Sequence, residues 1–104
     1  MLRRSPFRDV VRRQLELFAE DEAALLAEAE EADTAWTHAG REDAEELYGD
    51  YQLVADALGE RLHDIREAYV RTLDERAGHG YRAEFDRAAR KRFSRFASLL
   101  GEDA

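Results

Sequence analysis

The chain has 104 residues, the size of a single domain, and 44% of them are hydrophobic, which is enough for one core. Charged residues make up 38%, above the roughly 25% of ordinary globular proteins, as is typical of exposed amphipathic helices. The absence of cysteine excludes disulfides, thiolate chemistry and cysteine zinc sites. Alanine, glutamate, arginine and leucine dominate, so we expect one all-α domain over residues 1–104.

The first predicted helix spans residues 6–38. Ser5 and Pro6 are typical of an N-cap followed by proline at the first helical position. From there the apolar residues recur at spacings of three, four or seven, which places them in one stripe along a helix. Glu22 falls at the edge of that stripe, where we expect a carboxylate that reaches solvent.

The second predicted helix spans residues 42–77 and follows a break around Gly40, a residue type that commonly ends helices. The short break implies that the first two helices are antiparallel neighbours. The Gly-His-Gly segment at 78–80 predicts the second turn, because two glycines interrupt the helical pattern. A third helix over residues 81–100 has an apolar face and an arginine-rich remainder.

These elements predict a long antiparallel helical hairpin with a shorter third helix folded back on it. The third helix has about twenty residues against about thirty or more for each of the others, so it cannot cover the full hairpin. The apolar strip left over is larger than monomers usually expose, and it predicts a homodimer or small homo-oligomer in which two hairpin ends form a helical bundle. The alternative is a monomer whose long helices end in solvent. The residues expected at the interface are Leu25, Ala29, Ala32, Trp36, Leu47, Tyr48 and Tyr51.

Charge is distributed unevenly along the chain, whose net charge is −8. Residues 1–15 carry +4, residues 16–67 carry −14, and residues 81–104 carry +2. In a hairpin the acidic clusters gather at the tip that joins the first two helices. Such charged ends indicate a possible docking site for a protein partner.

The basic third helix indicates one alternative function, weak nucleic-acid binding. Its phenylalanines follow helical spacing and are explained as core, its arginines can pair with the acidic helices, and the overall charge repels phosphate. We therefore do not expect a nucleic-acid partner. The residues that would make such contacts are Arg87, Arg90, Lys91 and Arg95.

One spacing between a glutamate and a histidine is typical of metal-binding sites. Glu60 and His63 form an E-x-x-H pattern, which is how carboxylate-bridged di-iron bundles present ligands from a helix. Together with Glu30 and Trp36, this spacing resembles the two-helix ferritin-like proteins carried inside encapsulin shells, over about a third of the chain. The resemblance implies a ferroxidase-like iron site assembled at a dimer interface, with Glu30, Glu60 and His63 as ligands and Trp36 nearby.

Helical periodicity favours a different interpretation of the same residues. Glu60 and His63 point about 130° to 170° away from an apolar stripe centred on Leu62 and Ile65, whereas metal ligands should face the bundle interior. Glu30 is similarly far from the first stripe, and the basic third helix departs from the family's pattern. We therefore expect these side chains to be solvated.

The remaining sequence features also favour a protein without catalytic activity. Neither a glycine-rich phosphate loop nor a serine nucleophile motif occurs. The amino terminus lacks the apolar run of a signal peptide, and no stretch approaches the ~20 residues of a membrane span, so we expect a soluble cytoplasmic protein. The predicted function is a non-enzymatic helical protein–protein interaction module with no catalytic residues and no cofactor. An iron-binding, ferritin-like mini-bundle is the first alternative.

Overall fold

The structure, a computed structural model, describes residues 5–96, and helices account for most of them. The all-α prediction is confirmed, and there is no strand among the described residues. The prediction of three helices is wrong, because residues 5–96 contain four α-helices. Residues 97–100, assigned above to the third helix, lie outside the described range. The helices are α1 (Arg8–Asp21), α2 (Ala23–Thr37), α3 (Ala44–Val70) and α4 (Glu75–Arg92), followed by a 3₁₀ turn at Ser94–Phe96.

The first predicted helix is interrupted at Glu22. Its backbone, with φ −109° and ψ 27°, leaves the α conformation between α1 and α2. Its carboxylate forms an ion pair with Arg61 of α3, with an Nε–Oε2 distance of 3.1 Å. The interruption lets α1 pack mainly on α4 while α2 packs on α3. At the start of α1 the N-cap is Phe7, and the Ser5 hydroxyl accepts the Phe7 N–H at 3.1 Å.

The second turn lies at residues 71–74 and not at the glycine pair. Asp74 is the N-cap of α4, because its extended backbone leaves the carboxylate free to accept the N–H of Ala77 at 2.8 Å. Glu75 follows in the first turn, where a negative charge suits the positive end of the helix dipole. The predicted boundaries at 77 and 81 are therefore wrong, and α4 begins six residues earlier than expected.

Gly78 and Gly80 lie inside α4, and neither has a positive φ. Gly78 is buried, and the position of its missing Cβ is 3.5 Å from a methyl carbon of Val70. The corresponding position at Gly80 is 3.7 Å from the ring of Phe7. Both distances are ordinary van der Waals contacts, so the glycines lie at normal packing distances from their neighbours, and they do not form a turn.

Contacts between aromatic rings show how α1 and α3 run relative to α4. The ring of Phe7, at the start of α1, is 5.6 Å from that of Tyr81, and the ring of Phe18, near the end of α1, is 5.5 Å from that of Phe93 at the end of α4. These two helices therefore run parallel. The ring of Tyr69, near the end of α3, is 4.6 Å from that of Tyr81, whereas the ring of Tyr51, near the start of α3, is 6.1 Å from that of Phe96 beyond the end of α4. The helix α3 therefore runs antiparallel to α4. The core combines residues from all four helices and the 3₁₀ turn: Val11, Leu15, Phe18, Ala29, Tyr51, Ala55, Leu58, Leu62, Tyr81, Phe85, Ala89, Phe93 and Phe96.

A network of ion pairs joins α3 to α4. The guanidinium of Arg82 donates two hydrogen bonds to Glu67, at 2.7 and 3.0 Å. Arg66 donates to Glu67 and, at 2.8 Å, to Asp86. Hydrogen bonds from Arg82, supported by those from Arg66, lower the pKa of Glu67 to about 2. Glu67 therefore remains charged in the folded protein down to strongly acidic pH.

Candidate interaction surface

Three aromatic side chains meet where the end of α2 lies beside the start of α3. The ring of Trp36 is 4.7 Å from that of Tyr48 and 5.9 Å from that of Tyr51, and the latter pair is stacked within 6° of parallel. Offset and tilted arrangements of this kind are the favourable geometries for aromatic pairs. We refer to Trp36, Tyr48 and Tyr51 as the aromatic end.

The structure divides the seven predicted interface residues into two groups. Ala29 is 0% exposed and Tyr51 is 4% exposed, so both are already covered within a single chain. The 3₁₀ turn contributes to this, because the ring of Phe96 lies 6.1 Å from that of Tyr51. The apolar strip that remains partly exposed is thus smaller than the sequence indicated. Its five members, each partly buried, are Leu25, Ala32, Trp36, Leu47 and Tyr48.

The aromatic end lies in a strongly acidic part of the chain. Residues 28–50 contain nine carboxylates and one arginine. Within residues 5–96, only Glu30 and Asp33 of these nine form ion pairs, and both pair with Arg95. Burial, together with the negative charge of Asp33, raises the pKa of Tyr51, so its hydroxyl stays neutral.

The predicted metal ligands are not brought together within the chain. Glu30, Glu60 and His63 are all exposed. The Nδ1 of His63 lies 3.1 Å from a guanidinium nitrogen of Arg66, and the Glu30 carboxylate lies 3.5 Å from that of Arg95. Among residues 5–96, no three His, Cys, Asp or Glu side chains are grouped closely enough to hold a metal ion. A site using these three residues would therefore need a second chain.

Of the four basic residues considered for nucleic-acid contact, two form ion pairs with the protein's own carboxylates and two do not, within the described range. Arg87 pairs with the buried carboxylate of Glu84, and Arg95 pairs with Asp33 of α2. Arg90 and Lys91 are exposed, and neither forms an ion pair within the described range. Two of the four charges are thus already balanced by the protein's own carboxylates.

Sequence reasoning missed one exposed apolar residue. Leu53 of α3 is 72% exposed, more than Leu17 of α1, which is 47% exposed. Helical geometry could have predicted the exposure of Leu53, because this residue is two positions from Tyr51 and therefore lies about 200° away around the helix. Leu53 thus lies on the opposite side of α3 from the core and makes no part of the aromatic end.

Comparison with known proteins does not assign the chain to a family. No protein-family model, curated protein or solved structure matches it. In the part of the chain that the structure covers, no helix is both long and apolar enough to cross a membrane.

Proposed function

We propose that the chain is a non-enzymatic helical interaction module that forms a homodimer or small homo-oligomer through its aromatic end. The observation that carries the proposal is the contact pair Trp36 and Tyr48, two large aromatic side chains that remain only partly buried where α2 and α3 meet. Tryptophan and tyrosine are the residues most enriched among those that dominate binding energy at protein interfaces.

The arrangement of α2 and α3 supports a symmetric contact between two chains. Trp36 lies near Tyr48 at one end, and the Glu22–Arg61 ion pair connects the two helices at the other, so they run antiparallel. Two such helix pairs related by a two-fold axis make a four-helix bundle, which buries the same strip on each chain. Leu25 and Leu47, partly exposed in one chain, become covered in that arrangement.

Electrostatic repulsion opposes this association and makes its strength depend on ionic strength. Pairing two aromatic ends brings together two segments that each carry nine carboxylates and one arginine. Salt screens repulsion between exposed charges, with a Debye length of about 10 Å at 0.1 M. We therefore expect the homodimer to become tighter as ionic strength rises, the opposite of what attraction between unlike charges produces.

The test is sedimentation velocity from about 1 to about 200 µM protein, at low and high salt. Trp36 is the only tryptophan in the chain, so its emission reports directly on the aromatic end. Association through this surface predicts an emission shift to shorter wavelength over the same concentrations at which the sedimentation coefficient rises. A monomer at every concentration and salt level would remove the proposal.

A pair of variants locates the interface. Tyr48→Glu places a charge in the proposed contact and is expected to leave the protein monomeric. Leu53→Glu adds the same charge on the opposite face of α3 and is expected to leave association unchanged. If Leu53→Glu dissociates the dimer and Tyr48→Glu does not, the interface lies on another face.

A further inference from the structure

The chain changes direction sharply after α4. The backbone of Phe93, with φ −111° and ψ 44°, leaves the helix, although its N–H still donates to the carbonyl of Ala89 at 2.9 Å. Residues 94–96 then form a 3₁₀ turn, in which the N–H of Phe96 donates to the carbonyl of Phe93 at 2.9 Å. The bend carries Arg95 and Phe96 onto α2 and α3. We call Ser94–Phe96 the latch.

Arg95 attaches the latch to α2 through several groups. Its Nε donates to the carboxylate of Asp33 at 2.5 Å, and its Nη2 donates to the hydroxyl of Thr34 at 2.9 Å. The same nitrogen is 3.4 Å from the carbonyl oxygen of Glu30, and Nη1 is 3.5 Å from the Glu30 carboxylate. A planar guanidinium is suited to this kind of multiple recognition, which a lysine ammonium cannot reproduce.

Phe96 covers part of the surface that the aromatic end would otherwise present. It is 4% exposed, and its ring lies against that of Tyr51. Tyr51 is also stacked on Trp36, so Phe96, Tyr51 and Trp36 form one continuous contact. The latch therefore occupies a position beside the surface proposed above for a second chain.

We propose that the latch regulates self-association: when it is closed, Phe96 covers Tyr51, and when Arg95 releases α2, Tyr51 joins Trp36 and Tyr48 as part of a larger homodimer interface. This inference rests on the proposed function. Arg95 is the group that controls the latch, because its bonds to Asp33, Thr34 and Glu30 are what fasten the turn to α2. The Arg95 side chain is 43% exposed, so solvent and competing ions reach it.

The test compares variants on both sides of this contact by sedimentation velocity. Arg95→Ala and Asp33→Asn each open the latch and are expected to tighten the homodimer about tenfold. The exchange of both charges, Arg95→Asp with Asp33→Arg, restores the ion pair and is expected to return the dissociation constant to within about threefold of the starting protein. Lys91→Ala is the matched control, since it removes one exposed positive charge nearby without affecting the latch.

Acrylamide quenching of Trp36 fluorescence measures opening of the latch. In dilute samples, where the protein is monomeric, it does so independently of self-association. Quenching is expected to rise in Arg95→Ala and to remain unchanged in Lys91→Ala. Unchanged quenching in Arg95→Ala would overturn the latch whatever the sedimentation shows. If quenching rises while every variant stays monomeric, the proposed self-association fails, and the regulatory role fails with it. Loss of a positive charge alone would weaken a dimer of two acidic chains, so if Lys91→Ala tightens the dimer as much as Arg95→Ala does, the effect is not specific to the latch and the proposal fails.

Discussion

Gly80→Ala separates the two interpretations of the glycine pair. A turn at residues 78–80 would place glycine where its conformational freedom is needed, and alanine would then destabilise the protein. In the structure Gly80 is an exposed residue in the interior of α4, and its φ is not positive. An alanine Cβ there would approach the Phe7 ring at 3.7 Å, an ordinary van der Waals contact. The substitution therefore introduces neither backbone strain nor a clash.

The expected gain follows from helix propensity. Alanine is favoured over glycine in a helix interior by about 1 kcal/mol, partly because the unfolded chain loses conformational freedom. For a domain of this size, that corresponds to a rise of about 4–8 °C in Tm, measured by circular dichroism or calorimetry. Gly40→Ala is the control: Gly40 lies outside the helices with open space around it, so we expect a change below about 0.5 kcal/mol. A lower Tm for Gly80→Ala would refute the placement of these glycines within α4.

Three further predictions test other parts of the fold. Asp74→Ala removes the hydrogen bond that caps the Ala77 N–H and should lower the free energy of unfolding by about 1 kcal/mol in thermal unfolding. Asp74→Asn keeps an oxygen acceptor and should retain most of that stability. Equal losses in the two variants would argue against capping. Because the folded pKa of Glu67 is about 2 and its ordinary value is 4.5, the protein should lose on the order of 1 kcal/mol as pH falls from 4.5 to 2. That estimate is reduced from the full linkage value because the Glu67 side chain is 23% exposed, and Glu67→Gln should flatten the acid limb of a urea-midpoint profile. Phe85→Ala should cost about 3–5 kcal/mol by urea unfolding, since the ring is 2% exposed, and a loss below about 1 kcal/mol would contradict its burial.

The sequence was sufficient to predict helices but not all of their boundaries. The apolar stripe continues on both sides of Glu22, so periodicity alone predicts one long helix there. The interruption involves a contact with Arg61, which is distant in sequence and which periodicity cannot detect. At the second turn a signal was present, because Asp74 followed by Glu75 is typical of a helix start. The glycine pair was given more weight, although glycine is tolerated inside a helix.

The geometry of the proposed interaction surface could be predicted only in part, for a similar reason. Helical spacing alone indicates Trp36 and Tyr48 as members of an apolar strip. It could not predict that Arg95 would reach Asp33, because these residues are 62 positions apart and their pairing depends on the bend after α4. The burial of Tyr51 depends on the same bend, since Phe96 lies against it. Contacts between helices distant in sequence, and not the helices themselves, were what the sequence pattern could not predict.

The packing of α1 on α4 has a consequence for how the chain acquires its structure during synthesis. The partner of α1 is α4, the last of the four helices within residues 5–96: the Tyr81 hydroxyl donates to the Gln14 side chain at 2.6 Å across 67 residues of sequence. The helices α2 and α3 are neighbours in the chain, so they can associate as soon as both have left the ribosome. The apolar side of α1 must wait until residues 75–92 have been translated, which leaves it accessible to chaperones for longer than α2 or α3.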